Sequence, residues 1–291
     1  MVTVRRLVAF FLAGAAALAA SYCCAQDQNR SVQAPSAQPE SLFAQSAIQV
    51  LDHEFASDEI SYLLLDARSG EILASHWENP EKPIPLGSLV KPFTALAYGE
   101  EHHFQFPVHV CRGEKSGCWQ QSPHGKLDIV SAISRSCNSY FRVLAANVSS
   151  EQMASTAESF GLNAPASDLS GPPLMGLGTE WQISPLRMAR AYLELIRRRE
   201  QPGVRDVLAG MTQSAQHGTG YGVGRALKHS NALVKTGTAP CTHPRAAPGD
   251  GFVVTLVPAD QPELLLMVRV HSVPGAKASL TAGRMLSRLE E

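Results

Sequence analysis

Residues 85–93 read PLGSLVKPF. Ser88 stands where a helix should begin, and Lys91 follows one turn later on the same face. A helix N-terminus offers free N–H groups and a positive potential. A serine alcohol is a weak nucleophile until a base lies within hydrogen-bond reach. A desolvated lysine beside a second cation is neutral often enough to be that base. The plain alternative is a capping serine followed by a surface lysine. The bare spacing S-x-x-K arises about once by chance in a chain of this size.

Two later stretches change the weight of the first. Ser136-Cys137-Asn138 puts a hydroxyl and an amide one residue apart, where a short loop between helices can aim both into a cleft. Lys235-Thr236-Gly237-Thr238-Ala239 follows the strand-like Ala232-Leu233-Val234. Lys235 supplies a fixed cation for a carboxylate, Thr236 a hydroxyl, and Gly237 lets a ligand come close to the backbone. Alone, Ser136-Cys137-Asn138 reads equally well as an ordinary polar loop. The plain reading of Lys235-Thr236-Gly237 is a strand ending in a turn, but that string arises by chance in only about one chain in ten. The order S-x-x-K, S-x-N, K-T-G joins them into one nucleophilic serine site.

The pattern around these stretches predicts an α+β domain. Leu42, Ile48, Leu51 and Phe55 recur at helical spacing. Tyr62 to Leu65 and Glu71 to Ala74 flank the turn Asp66-Ala67-Arg68-Ser69-Gly70 and read as a hairpin. A helical middle runs from about Ser88 to Ile196. Strand-like runs return at residues 232–234, 252–256 and 264–270, and a helix closes the chain from Ala276 to Leu289. The hairpin and the late strands can form one antiparallel sheet. The first and last helices would cover one face and a helical subdomain the other, leaving the cleft between sheet edge and helices. Arg197-Arg198-Arg199 fits a helix C-terminus.

The chain has 291 residues, 44% hydrophobic and 18% charged, with a net charge of -1. That suffices for a substantial core and leaves no field to recruit nucleic acid or an anionic membrane. Arg5-Arg6, the apolar Leu7 to Ala20 and the small residues of Cys23-Cys24-Ala25 have the form of a secretory signal. We therefore expect residues 1–25 to be a signal peptide, 26–40 a flexible linker that could tether the domain to a membrane, and 41–291 the folded domain. The signal points to an exported, extracytoplasmic (periplasmic) protein, and no span is expected in the mature chain.

The sequence resembles the transpeptidase domain of the high-molecular-weight penicillin-binding proteins from about Leu63 to its C-terminus. Beyond the three motifs, the resemblance rests on Asp66 to Ala74, His124-Gly125 leading into Ser136-Cys137-Asn138-Ser139-Tyr140-Phe141, residues 176–180 (GLGTE), residues 183–186 (ISPL) and residues 217–220 (HGTG). It implies that Ser88 is acylated, with Lys91 as its base. Ser136 would pass the proton to the leaving amine and Asn138 would position the peptide. Lys235 and Thr236 would bind a terminal carboxylate, and the N–H groups of Ser88 and Thr238 would form the oxyanion hole. The implied partners are peptidoglycan stem peptides ending in D-Ala-D-Ala, and β-lactams. No cofactor is needed for that catalysis. The large enzymes carry a further domain ahead of this one, whereas here about 40 residues would precede the matching region after export.

Relatives of other activity share the fold. A class D β-lactamase usually has Val where Asn138 stands, and a class A enzyme has Ser-Asp-Asn and a separate glutamate. A sensor that is acylated but barely turns over is the third reading. The cysteines also leave alternatives open. Cys111 and Cys118 could pair as a disulfide in an oxidising compartment. Cys111, Cys118, His124 and Cys137 could instead hold a structural zinc ion. Elongation-type penicillin-binding proteins have a similar Cys-Trp, His-Gly and Ser-Cys arrangement. Cys241 is unpaired in both readings and is expected near the cleft mouth.

Overall fold

The computed structural model describes residues 42–242 and 246–290. The expected signal peptide and linker lie outside them. Helix α1 (Leu42–Phe55) leads into the hairpin of β1 (Ile60–Asp66) and β2 (Ile72–His76). The middle of the chain contains β3 (Ile84–Pro85), a 3-10 turn at Gly87–Val90, α2 (Lys91–Glu101), β4 (His109–Cys111) and β5 (Gly125–Leu127). It continues with α3 (Ile129–Ser134), α4 (Asn138–Ala145), α5 (Ser150–Ser159), β6 (Gln182–Ile183), α6 (Pro185–Arg197), α7 (Val204–His217) and α8 (Tyr221–Gly224). Strands β7 (Leu233–Ala239), β8 (Asp250–Val257) and β9 (Leu264–Val270) and helix α9 (Gly275–Leu289) complete it.

Five strands form one antiparallel sheet in the order β2-β1-β9-β8-β7. Side chains alternate across it with period two. On one face Leu63, Leu65, Phe252, Val254, Leu256, Leu265 and Met267 join the core of the helical region. On the other, Tyr62, Leu64, Val253, Leu266 and Val268 pack with Leu51 of α1 and Ala278, Ala282 and Met285 of α9. Both faces are covered, so these strands read as continuous apolar runs rather than as alternation. The expected α+β architecture is therefore present, with the helical middle extending past Ile196 through α7 and α8. The two-residue pair β3–β6 and the short pair β4–β5 were not legible in the hydrophobic pattern.

Strand β7 is an edge of the sheet. Leu233 and Ala239 pack into the helical-side core and Val234 into the opposite one. The same alternation sends Lys235 and Gly237 towards the helices. The 3-10 turn at Gly87–Val90 lies against that edge. Gly87 has φ +57°, and a Cβ there would stand 2.2 Å from the Thr238 carbonyl oxygen. A Cβ on Gly237 would stand 2.6 Å from the Leu86 carbonyl oxygen, and one on Gly176 2.0 Å from that of Gly87. The backbones of the Gly87–Val90 turn, β7 and the 176 loop are thus in direct contact. Gly237 serves this contact with the turn, in addition to the open approach to the cleft that its sequence position implies.

Candidate active site

A cavity of about 310 Å³ opens where β7 meets the helical region. Ser88, Ser136, Asn138, Thr236, Gly237 and Thr238 all line it, and Lys91 and Lys235 are fully buried beneath. Ser88 belongs to the 3-10 turn, and α2 begins at Lys91, whose N–H donates back to the Ser88 carbonyl. The expected helix start is thus a tighter turn followed by the helix proper, one that keeps Ser88 in the cavity wall.

Lys91 Nζ donates to the Ser136 carbonyl at 2.9 Å and to Asn138 Oδ1 at 2.6 Å. It also lies over the Phe141 ring, 5.2 Å from the centroid. Burial pulls its pKa from the ordinary 10.5 down to about 7, with the Cys137 and Cys118 sulfurs opposing the fall. Lys235 Nζ donates to Ser136 Oγ at 3.1 Å and to its neighbour's carbonyl, Thr236 O, at 2.6 Å. Burial first, and the Lys91 charge second, hold Lys235 well below the usual lysine range. Ser136 therefore joins the two lysines, one through its carbonyl and one through its hydroxyl. It does so at φ +48°, a left-handed conformation uncommon for a serine and typical of functional sites.

The rim holds residues that the motifs do not contain. Trp119 Nε1 donates to the Ser136 carbonyl at 3.1 Å and its ring lines the cavity. Thr236 donates through Oγ1 to Thr219 Oγ1 at 2.6 Å. Thr238 Oγ1 accepts the N–H of Gly275 at 2.9 Å, at the start of α9. Thr219 belongs to the 217–220 stretch already singled out. Leu177, Pro274 and Ala276 complete the wall; of these, Leu177 lies in a stretch tied to the site by the resemblance, and Ala276 was read only as the start of the closing helix.

The three cysteines nearest the second motif are free thiols, so the Cys111–Cys118 disulfide is not formed. Cys111 Sγ and Cys118 Sγ lie 3.6 and 3.5 Å from His124 Nδ1, and Cys118 Sγ lies 3.8 Å from Cys137 Sγ. Tetrahedral zinc, with Zn–S near 2.3 Å and Zn–N near 2.05 Å, spaces sulfurs about 3.8 Å apart and sulfur from nitrogen about 3.6 Å. His124 Nε2 is hydrogen-bonded to Gln120 Oε1 at 3.0 Å, which leaves the Nδ1 lone pair for the cluster. The donor set fits zinc. The hydrogen bond from Cys137 lowers the Cys118 thiol, and the same contact raises Cys137. Cys241 is not in this group and does not line the cleft. It lies 3.5 Å from His271 Nδ1, on the border of a separate groove.

Residues 60–289 match the family described as the penicillin binding protein transpeptidase domain. The chain belongs to that family. A search of curated proteins gives no match. Among solved structures, Pseudomonas aeruginosa PBP2 in complex with WCK 5153 superposes with a TM-score of 0.69 at 17% identity, covering 86% of this chain and 73% of that one. PBP2 of Helicobacter pylori, solved in a complex with MreC, gives 0.70 at 16% identity, covering 85% and 62%. The transpeptidase domain of Burkholderia pseudomallei penicillin-binding protein 3 gives 0.63 at 18%, covering 85% and 91%. At these identities the likeness is one of fold. Among the described residues of this penicillin-binding protein domain, no helix is long and apolar enough to cross a membrane.

Proposed function

We propose that this chain is an exported serine D,D-acyltransferase that acts on peptidoglycan stem peptides outside the cytoplasmic membrane. The observation that carries the reading is the single hydrogen-bonded network of Lys91, Ser136, Asn138 and Lys235 beneath a cavity lined by Ser88. Ser88 Oγ attacks the carbonyl carbon of the penultimate D-Ala, and its proton passes to neutral Lys91. The N–H groups of Ser88 and Thr238 receive the oxyanion; such donors contribute about 3–4 kcal/mol each in the transition state. The C–N bond then breaks as Ser136 passes a proton to the departing D-Ala nitrogen. Lys235 and Thr236 hold the terminal carboxylate, whose negative charge gives buried Lys235 a partner and favours its ammonium form. The resulting ester goes to an acceptor amine in cross-linking or to water in carboxypeptidase action. A β-lactam acylates Ser88 by the same first step.

Zinc is proposed for Cys111, Cys118, His124 and Cys137. Bound there, it would brace the second motif from outside the reaction, because Cys137 is the residue between Ser136 and Asn138.

The test is incubation with a fluorescent penicillin, followed by intact mass over time, with Ser88→Ala as the control. A lasting adduct that S88A abolishes supports the proposal. Rapid release with drug hydrolysis would make the chain a β-lactamase. No adduct would refute the serine mechanism.

A further inference from the structure

Cys241, Asp250 and His271 form a second cluster, apart from the cleft and from the His124 group. Cys241 follows β7, Asp250 opens β8, and His271 follows β9. The register places Asp250 opposite Ala239, while Gly251 pairs with Val270. Three adjacent strand ends thus deliver one thiol, one carboxylate and one imidazole to a point. Their donor atoms all lie within 4.8 Å of one another.

We propose that this cluster is a second transition-metal site, with zinc as the fitting ion. The first support is geometric. Cys241 Sγ lies 3.5 Å from His271 Nδ1, close to the roughly 3.6 Å that tetrahedral zinc imposes on a sulfur and a nitrogen ligand. Asp250 Oδ1 is hydrogen-bonded to the same Nδ1 at 3.0 Å, a pairing that metal binding would replace, because zinc spaces its oxygen and nitrogen ligands about 3.4 Å apart. A Cys-His-Asp relay would place thiol and carboxylate on opposite ring nitrogens, whereas here both face Nδ1. That arrangement suits convergence on a shared centre.

The second support is independent. Asp250 is fully buried, its Oδ1 also accepts the Ser272 N–H, and its Oδ2 has no hydrogen-bond partner. A buried carboxylate oxygen left without a partner is costly, and a metal ion satisfies it. A thiolate and a carboxylate also neutralise a divalent cation, so the occupied site carries no net charge. Access is provided on the Cys241 side, where the residue borders a groove of about 970 Å³ that Trp77 and Arg269 also line. An ion here would tie the exit of β7, four residues beyond Gly237, to the ends of β8 and β9. It would hold the edge that carries the third motif.

The experiment counts zinc in the full chain, purified from zinc-supplemented cells and exchanged into metal-free buffer, by elemental mass spectrometry and native intact mass. Cys241→Ser and Asp250→Asn should each lower the zinc content by one equivalent, or weaken that equivalent at least tenfold. Cys118→Ser reads the other cluster separately, so either assignment can fail without the other. Zinc content and affinity unchanged in D250N and C241S would overturn the proposal. Should C241S fail to fold, D250N, which keeps the side-chain shape, decides alone.

Discussion

Gly237→Ala tests whether backbone contact between β7 and the nucleophile turn positions Ser88. The added Cβ would lie 2.6 Å from the Leu86 carbonyl oxygen, 3.0 Å from Leu89 Cγ and 3.2 Å from the Leu89 nitrogen. The first distance is about 0.4 Å inside the 3.0 Å below which something must shift, and the obstacle is backbone rather than a pliable side chain. The turn and the strand must therefore separate. Overpacking of this kind costs about 1–3 kcal/mol, which lowers Tm by roughly 2–12 °C for a domain of this size. Misplacing a reacting group by about 1 Å costs on the order of 100-fold in rate, so a shift near half of that predicts a 10-fold or greater loss. The assay is the second-order rate of penicillin acylation by intact mass, beside a thermal melt. Gly161→Ala is the control, because Gly161 has φ +74° with nothing within 4 Å of its would-be Cβ. It should lose stability and keep its acylation rate. Acylation of G237A at the native rate and with native Tm would refute the argument that this contact sets the serine.

Three further predictions follow from the same network. Because Lys91 must be neutral to act, and burial sets its pKa at about 7, acylation should rise with pH through about 7 and level off above. Well below that midpoint it should fall about tenfold per unit, and a flat profile from pH 5 to 9 would exclude Lys91 as the base. Asn138→Ala removes an acceptor that favours the Lys91 ammonium; the midpoint should move down while the plateau falls, and an upward shift would contradict this. In an Asp250→Asn background, which removes the second proposed site, stripping zinc from Cys111, Cys118, His124 and Cys137 with a strong chelator should lower Tm and slow acylation at least tenfold, and added Zn2+ should restore both. An indifferent protein would show that the four side chains hold no metal that matters.

Much of the site could be read from sequence because its chemistry depends on residue type. The proposed mechanism needs the functional groups of Ser88, Lys91, Ser136, Asn138, Lys235 and Thr236, and the structure brings these residues to one cavity and the floor beneath it. The sheet was legible for a related reason, since runs such as Phe252 to Leu256 must be apolar on both faces. What escaped depends on placement. Trp119 reaches the Ser136 carbonyl only because the loop between β4 and β5 folds back to the second motif; from sequence it was legible as the neighbour of Cys118 and not as part of the cleft. Pro274 and Ala276 line the cleft because α9 begins there, where the Gly275 N–H reaches Thr238 Oγ1 and a Cβ on Gly275 would stand 2.2 Å from the Gly237 carbonyl oxygen, a closeness that only the fold reveals. Gly87 and Gly176 stand in stretches quoted from sequence, but the contacts that require them are remote: a Cβ on Gly87 would meet Thr238, about 150 residues on, and one on Gly176 would meet Gly87, about 90 residues back. The meeting of Cys241 with Asp250 and His271 depends on strand register, which composition does not specify.

The backbone contacts around Ser88 also bear on how such a cleft can evolve. Gly87, Gly176 and Gly237 meet carbonyl oxygens, so a mutation there adds bulk where no side chain can yield. The lysines and Ser136 are bound to one another and fail together. Variation that tunes which acyl donor or drug is accepted is left to the rim, to Leu177 and Ala276, whose side chains face the cavity without holding its floor, whereas Trp119 is tied to the Ser136 carbonyl. A population under antibiotic selection would be expected to explore that rim first.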